Sequence, residues 1–356
     1  MKTTVLRIFT VLLSLTLMAS VFACTKGAQI ETTPEPSAVP IESATSEPVV
    51  EATEQPTAEP TEEPKPELPA EPVRVGALAG PTGVGLSYLM DQTDRYSVEL
   101  FTAPDQLSPK IIKGEVDIAA VPINLASVLY QKTNGAVSVI AVNTLGVLYF
   151  LENGDTIHSV NDLAGKTIYA TGQGSTPEYV LAEILRQNDL VDSVQVEYIA
   201  DNTDLIAKLI AGEAEVALLP EPHVSVACTK GETVRVALSA NNLWQEHNEA
   251  ALVQGVYIVR KAYLEEHADA VNQFLADAAA SAERVKTDEN AAEKVVEYGI
   301  IPAAPIAKKA IPNCNIVLET GESMKKLVSA MLDTLYQANP ASVGGTLPDE
   351  AFYYVP

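Results

Sequence analysis

Residue types that often carry catalytic or metal chemistry are few in this 356-residue chain and lie far apart. The histidines and cysteines have neither the spacing of a metal site nor that of a redox motif; they are His158, His223, His247, His267, Cys24, Cys228 and Cys314. Glu221 and His223 are the one local pair that could exchange a proton, although a surface position is the simpler interpretation of this histidine. The sequence therefore predicts no catalytic residue, no metal site and no cofactor.

Binding of a small polar molecule is the chemistry that the other polar residues favour. Small and polar residues follow apolar, strand-like runs, and we predict ten of them as ligand-binding: Gly80, Pro81, Thr82, Asn124, Thr144, Gln173, Gly174, Ser175, Thr176 and Glu221. Free N–H groups at a helix start can hold an anionic or carbonyl oxygen, and hydroxyl and amide side chains add donors and acceptors. An inward-facing Glu221 would disfavour a sulfonate and favour a ligand with an amine or an aminopyrimidine.

Three aromatic residues, Tyr149, Trp244 and Tyr257, lie on segments near these positions. Each could form a wall of the binding site. Packing in the hydrophobic core is an equally good interpretation, because aromatic side chains bury a large apolar area.

The elements that would position these residues alternate between strand and helix. Strands are predicted at 73–79, 97–102 and 116–121, and Leu107, Ile111 and Ile112 have helical spacing between the last two. Helical spacing also follows the first strand, and a long strand-like run covers 137–150. This alternation predicts the α/β class, with a mainly parallel sheet and crossover helices.

A segment of the chain repeats at an offset of 98 residues. Residues 98–122 align without a gap on residues 196–220, with nine identities in 25 positions: Val98/Val196, Glu99/Glu197, Leu107/Leu205, Lys110/Lys208, Ile112/Ile210, Gly114/Gly212, Glu115/Glu213, Ala119/Ala217 and Pro122/Pro220. Any two strand–helix–strand units share some of these features. The ungapped match nevertheless favours two similar lobes whose strand ends converge on one cleft, where open α/β sheets bind ligands.

A nucleotide is not the predicted ligand of this cleft. The run Gly172-Gln173-Gly174-Ser175-Thr176 is similar to a phosphate-binding loop, but no Lys-Ser or Lys-Thr follows it. The dinucleotide fingerprint G-x-G-x-x-G is also missing from the sequence.

Three segments resemble bacterial solute-binding proteins of ABC importers: residues 114–122 (GEVDIAAVP), 162–168 (DLAGKTI) and 212–220 (GEAEVALLP). The closest group is the nitrate/sulfonate/taurine and thiamine-pyrimidine-precursor branch, which has the type II periplasmic-binding-protein fold. The resemblance spans about residues 73–336. Its motifs are specific for the fold and the importer role, and weak for the ligand.

The resemblance implies a chain that crosses twice between two lobes. We expect lobe 1 to comprise residues 73–152 and 253–356, and lobe 2 to comprise residues 153–252. Each lobe would hold a mainly parallel sheet flanked by helices, with the C-terminal helical segment on lobe 1. Cys228 and Cys314 could form a disulfide between the lobes, but such a bond would hinder closure, so free buried thiols are expected.

Residues 1–24 have the pattern of a secretory signal. Lys2 and Arg7 precede an apolar run that ends at Val21-Phe22-Ala23-Cys24. A small residue before a cysteine at this point resembles a bacterial lipobox, with cleavage before Cys24 and lipidation of its thiol. An ordinary signal peptide and an uncleaved anchor are the alternatives. Lipid on Cys24 would attach the protein to the outer face of the plasma membrane.

Residues 25–72 contain ten Pro, eleven Glu and two Lys. A segment with this composition cannot bury enough apolar surface to offset its ordering entropy, so we predict a disordered stalk. Proline and like charges would keep it extended. A proline-motif ligand for another protein is the alternative, but the basic residues that would support it are scarce.

The formal net charge of the chain is −24 at pH 7, from 47 acidic and 23 basic residues. The signal carries +2 and the stalk −9, so residues 73–356 still carry about −17. A field of this sign repels polyanions, and nucleic acid is therefore excluded as a partner.

Together these features predict an extracytoplasmic, lipid-anchored solute-binding protein and not an enzyme. The resemblance implies a small-molecule ligand (a thiamine-precursor-like pyrimidine, a sulfonate or similar) and ABC permease and ATPase subunits as partners. Two alternatives remain: a tethered extracellular enzyme of the lyase or dehydratase type on the same scaffold, and a ligand-sensing receptor subunit. Enzymes of this fold include a pyrimidine synthase that relies on a cysteine-rich iron motif, and no cysteine cluster is present in this sequence.

Overall fold

The computed structural model of the protein describes residue 69 and residues 71–355. The predicted signal at 1–24, its lipidation site Cys24 and nearly all of the predicted stalk at 25–72 lie outside the described residues.

The described residues form eleven strands and twelve α-helices. The strands are β1 (Val73–Leu78), β2 (Tyr96–Phe101), β3 (Ile118–Pro122), β4 (Val137–Leu145), β5 (Leu148–Asn153), β6 (Thr167–Ala170), β7 (Gln195–Tyr198), β8 (Val216–Pro220), β9 (Val234–Ser239), β10 (Val253–Arg260) and β11 (Ile316–Glu319). The helices are α1 (Pro81–Val84), α2 (Pro104–Lys113), α3 (Ile123–Lys132), α4 (Thr176–Gln187), α5 (Asn202–Ala211), α6 (His223–Lys230), α7 (Ala240–His247), α8 (Lys261–Glu266), α9 (Ala268–Thr287), α10 (Ala291–Glu297), α11 (Ala304–Ala310) and α12 (Gly321–Ala338).

The strands form two separate sheets. The six-stranded sheet has the order β11-β4-β10-β3-β1-β2, and the five-stranded sheet has the order β7-β6-β8-β5-β9. In the first sheet β1 pairs in parallel with β2 and β3, and β10 is antiparallel to β3 and β4. In the second, β6 pairs in parallel with β7 and β8, and β5 is antiparallel to β8 and β9. The predicted α/β class with two sheets is confirmed, but the prediction that each sheet is mainly parallel is wrong. Both sheets are mixed, because β5 and β10, the strands by which the chain enters a sheet after each crossing, pair antiparallel with their neighbours, and β11 is antiparallel to β4. Each sheet with its flanking helices is called a lobe below.

The repeat found in the sequence corresponds to the matching parts of the two sheets. β2, α2 and β3 occupy the same places in one sheet as β7, α5 and β8 in the other. Gly114 caps the C-terminus of α2 and Gly212 that of α5, with φ of 74° and 73°. Only glycine adopts this left-handed cap at little cost, which explains the identity at this pair of positions.

The run at 137–150, predicted as one long strand, is two strands in two different sheets. β4 ends at Leu145 and β5 begins at Leu148, so the chain crosses between the sheets at Gly146 and Val147. Leu148–Glu152, expected at the end of lobe 1, therefore belong to the five-stranded sheet. Both strands are buried on both faces, so no change in hydrophobic period marks the break. The second crossing lies between α7 and β10.

The helix predicted after the first strand is also shorter than expected. α1 has four residues, and a separate 3-10 turn at Leu89–Asp91 follows it. Gly83 and Gly85 lie in this stretch, and glycine disfavours a continuous helix because of its backbone entropy. The predicted C-terminal helices are confirmed as α9 and α12.

One apolar cluster includes buried residues of both sheets, such as Val142 and Val256 in the first and Phe150 and Leu218 in the second. The two lobes are therefore in direct apolar contact, and burial of each such side chain contributes roughly 1.5–3 kcal/mol. No helix among residues 71–355 is long and apolar enough to cross a membrane.

Candidate functional site

The starts of two helices meet where the strand ends of the two sheets converge. Asn124 is the second residue of α3, which follows β3, and Thr176 is the first residue of α4, which follows β6. The Thr176 hydroxyl donates a hydrogen bond to Asn124 Oδ1 at 3.0 Å, and both side chains are buried. The structure thus brings together two predicted site residues that are 52 positions apart and belong to different lobes.

The loop before Thr176 satisfies most of its own hydrogen-bonding groups. Ser175 Oγ donates to the carbonyl oxygen of Gly172 at 2.6 Å, and the N–H of Gly174 donates to the carboxylate of Glu178. Gln173 and Gly174 are exposed. A carboxylate therefore already occupies the helix-start position that an anionic ligand would need.

In the six-stranded lobe, Thr82 and Thr144 both lie next to Gly255. A Cβ on Gly255 would be 2.6 Å from Thr82 Cγ2 and 3.3 Å from Thr144 Cβ. Thr82 donates to the carbonyl oxygen of Leu78, and Thr144 donates to Asn143 Oδ1 at 2.9 Å. These two predicted residues are close together, but α1 is too short to supply the helix dipole expected at Thr82.

Gly80 and Pro81 connect β1 to this group. Gly80 is buried with φ of 111°, a conformation that L residues rarely adopt, and Pro81 begins α1 and is half-buried. The turn between β1 and α1 therefore sets the positions of Gly80 and Pro81.

Glu221 directly follows β8 and is 1% exposed. Its carboxylate accepts hydrogen bonds from the Ser225 N–H and hydroxyl, both at 3.1 Å, and from Asn313 Nδ2 at 3.3 Å. Asn313 lies just before β11 of the other lobe. Burial raises the pKa of Glu221 above its ordinary value, and the hydrogen bonds from Ser225 and Asn313 only partly oppose this.

His223 is half-buried at the start of α6, so the surface position favoured for it by the sequence is wrong. Burial lowers its pKa, and Asp201 is the charged group that opposes the shift. Within the described structure His223 makes no hydrogen bond to Glu221. The two residues are therefore not joined as an acid–base pair in this structure.

Among the residues that the structure describes, four of the buried side-chain atoms without a hydrogen-bond partner lie on elements next to the predicted site residues, and three others belong to Ser87, Tyr88 and Tyr263. Within the described part of the chain, Asn143 Nδ2, Asn241 Oδ1, Gln254 Oε1 and His223 Nδ1 are buried and make no hydrogen bond. Buried polar atoms are normally paired, so these atoms are available to a bound molecule.

The sequence analysis missed the three amides among them. An asparagine inside the apolar run of β4 is a signal that could have identified Asn143. Asn241 and Gln254 have no such signal, because their burial depends on how α7 and β10 pack.

The three aromatic residues that could have formed walls of the binding site differ in their surroundings. Tyr257 and Trp244 are each 2% exposed; Tyr257 packs edge-on against Phe274, and the Trp244 ring nitrogen donates to the carbonyl oxygen of Ala250. Both belong to the core. The hydroxyl of Tyr149 donates to the carbonyl oxygen of Asn313 at 3.3 Å, and burial next to Glu221 raises its pKa to about 12.

Cys228 and Cys314 are free thiols, half-buried and buried respectively. Burial and the nearby Glu221 raise the pKa of both thiols, so neither is an activated nucleophile. Among the described residues no group of three or more His, Cys, Asp or Glu side chains is placed to hold a metal ion.

Comparisons with known proteins agree with this architecture. The family model described as NMT1/THI5 like matches residues 135–292. No curated protein matches the chain. An ABC transporter structure from Parabacteroides distasonis is 23% identical with a TM-score of 0.70, covering 80% of this chain and 98% of that one.

Two further solved structures are similar to this chain. The periplasmic aliphatic sulphonate binding protein SsuA from Escherichia coli is 18% identical with a TM-score of 0.66, covering 80% of this chain and 92% of that one. The periplasmic nitrate-binding protein NrtA from Synechocystis PCC 6803 is 13% identical with a TM-score of 0.50, covering 70% of each chain. The predicted type II periplasmic-binding-protein fold and the predicted resemblance are confirmed.

Proposed function

We propose that this chain is a lipid-anchored, extracytoplasmic solute-binding protein that captures a small organic ligand between its two lobes and delivers it to an ABC import permease. The observation that carries the proposal is the hydrogen bond between Asn124 and Thr176, because it joins the first turns of helices from different lobes. In this proposal the bond forms when the two lobes close on each other. The type II fold and the unpaired amides nearby support the same role.

Closure is the mechanism by which such a protein binds. A ligand that contacts both lobes shifts the population toward the closed form, because only that form makes both sets of contacts. Two of the hydrogen bonds between the lobes, Thr176 with Asn124 and Asn313 with Glu221, would add to the contacts of the ligand.

The charges near the predicted site favour an amine-bearing ligand over a sulfonate. The ten predicted positions include no lysine or arginine. Of the two carboxylates described above, Glu178 lies in the first turn of α4 and Glu221 directly follows β8. An ionised carboxylate can accept about four hydrogen bonds, and Glu221 accepts three. The remaining acceptor position suits the amino group of an aminopyrimidine.

Native mass spectrometry of the full chain in detergent, followed by calorimetric titration, tests the proposal. We expect a small-molecule adduct, saturable binding of 4-amino-2-methylpyrimidine, and weaker binding of ethanesulfonate. Glu221→Gln should weaken aminopyrimidine binding by about 10- to 100-fold, since hydrogen bonds to a charged group contribute roughly 1.5–3 kcal/mol. Glu213→Gln, which removes an exposed carboxylate, is the control.

Two results would contradict the proposed ligand class or the proposed function. Tighter binding of ethanesulfonate than of the aminopyrimidine would reject the ligand class. Conversion of a bound compound to product would favour the tethered enzyme instead.

The anchor and the transport partners are tested separately. Cys24→Ala should release the protein into the medium, because a lipid on this thiol would be its attachment to the membrane. Permease and ATPase subunits should co-purify with the ligand-loaded protein. A chain that stays in the membrane fraction after Cys24→Ala would contradict the lipid anchor.

A further inference from the structure

A cavity of about 490 Å³ lies at the edge of the six-stranded sheet opposite to Asn124 and Thr144. The ends of α2 and α3, the start of β4 and the junction of β10 with α8 form its lining. Its volume is within the usual range of small-molecule sites. We call it the basal cavity.

Four positive side chains line the basal cavity: Lys113, Lys132, Arg260 and Lys261. They are four of the 19 lysine and arginine residues in 73–356, a region with a net charge of about −17. No aspartate or glutamate is among the lining residues. Three other cavities in the described part of the chain each include at least one carboxylate. The positive charge is thus concentrated in one cavity.

Of the four positive side chains in the basal cavity, only Arg260 forms an ion pair in the described structure. In the described structure, Lys113, Lys132 and Lys261 form no ion pair, and Lys261 Nζ lies 5.0 Å from the centre of the Tyr130 ring. Arg260 does pair, through Nη2, with Asp117 Oδ1 at 2.6 Å.

Asp117 cannot neutralise Arg260 fully, because it also accepts hydrogen bonds from Arg74 Nε and Nη2. Two guanidinium groups therefore share one carboxylate. Arg260 Nη1 lies 3.4 Å from the position that a Cβ of Gly114 would occupy, so this nitrogen faces the cavity lining. A net positive charge remains at this side of the cavity.

Helix dipoles explain only part of this arrangement. Lys113 ends α2 and Lys132 ends α3, where a positive side chain interacts favourably with the helix terminus by about 0.3–1 kcal/mol. That effect gives no reason for Arg260 and Lys261 to converge on the same cavity from β10 and α8. It also gives no reason for the lack of a carboxylate in the lining.

Apolar side chains form another part of the lining, with Ile111 and Val137 buried and Ile112 56% exposed. We propose that the basal cavity binds a small organic dianion, whose charged group contacts the lysines and Arg260 and whose apolar part covers Ile112. Compact ammonium groups and a guanidinium are the usual partners of such anions. The net negative charge of the protein does not prevent this, because screening limits surface fields to about 8–10 Å at physiological salt.

Calorimetric titration of the full chain in detergent with phenyl phosphate at low salt tests this site. We expect saturable binding that is tighter than that of inorganic phosphate. The double variant Lys113→Gln/Lys132→Gln should weaken phenyl phosphate binding at least tenfold. The matched control Lys230→Gln/Lys326→Gln removes the same charge from exposed lysines on α6 and α12 and should leave the affinity within about twofold.

The proposal would be overturned by absence of saturable phenyl phosphate binding, or by equal affinities of the two double variants. Binding of 4-amino-2-methylpyrimidine should be the same in both double variants, because the predicted ligand-binding residues lie at the other edge of the sheet. A failure of the basal cavity is therefore distinguishable from a failure of the proposed transport function.

Discussion

The hydroxyl of Thr176 donates a hydrogen bond of 3.0 Å to Asn124 Oδ1, and the two residues start helices on different lobes. Both side chains are buried, so neither partner could be replaced by water without opening the structure. In the closure mechanism proposed above, this bond forms when the lobes close.

Thr176→Val should favour the open form. A buried hydrogen bond contributes roughly 0.5–1.5 kcal/mol to the stability of the form that contains it. Leaving Asn124 Oδ1 buried and unpaired costs about 1–3 kcal/mol. We expect a larger radius of gyration in small-angle X-ray scattering and about 3- to 30-fold weaker aminopyrimidine binding.

Thr287→Val is the control for this change, because Thr287 is exposed and its hydroxyl donates only to Glu283 within α9. Adding Asn124→Leu to Thr176→Val removes both partners and should cost less than the sum of the two single changes. Scattering and affinity equal to those of the unchanged protein would show that the bond does not influence closure.

Two buried glutamates should give opposite pH dependence of stability. Burial raises the pKa of Glu221. For Glu152 burial also acts against ionisation, but hydrogen bonds from Ile157 and Thr156 and the charge of Arg235 outweigh it and lower the pKa. An unfolded glutamate titrates near pH 4.3, approximately.

The stability from Glu221 is therefore fully present below about pH 4.3 and is lost as the pH rises through its folded-state pKa. The stability from Glu152 is present above about pH 4.3 and is lost as the pH falls through its folded-state pKa. Denaturant unfolding between pH ~3.5 and ~6.5 measures this. The free energy of unfolding of the unchanged protein minus that of Glu221→Gln should decrease as the pH rises. The corresponding difference for Glu152→Gln should increase as the pH rises. If the free-energy difference changed with pH in the same direction for both variants, the opposite pKa shifts of Glu221 and Glu152 would be contradicted.

Gly255→Ala should damage the group of Thr82, Asn143 and Thr144. The added methyl would lie 2.6 Å from Asn143 Oδ1 and from Thr82 Cγ2, closer than real contacts allow. Overpacking of this kind costs about 1–3 kcal/mol, measurable as a lower urea midpoint.

Gly85→Ala is the matched control for Gly255→Ala. Its added methyl would meet Ile316 Cγ2 at 3.2 Å, so a smaller loss of stability is expected. Equal midpoints for the two variants would mean that the surroundings of Gly255 relax freely.

Much of the fold was predictable because its signals are local. The ungapped repeat predicted corresponding strands, helices and glycine caps in the two sheets, and Gly114 and Gly212 have nearly equal φ. The break between β4 and β5 was not predictable in this way, since an apolar run has the same pattern whether one sheet or two bury it.

The site was predictable only in part. Thr176 and Asn124 were identified from their places after strands, and their hydrogen bond spans 52 positions. Asn241 and Gln254 were missed, because nothing local distinguishes a buried amide from an exposed one.

The sequence alone was sufficient for the class of fold, the repeat and the acidic character, because periodicity, glycine positions and charge are properties of neighbouring residues. The partners of Glu221 required the folded chain: Asn313 is 92 positions away. The convergence of Lys113, Lys132 and Lys261 on one cavity also depends on the packing of α2, α3 and α8. Side-chain contacts between distant segments arise only from that packing, and they decide which polar groups can meet a ligand.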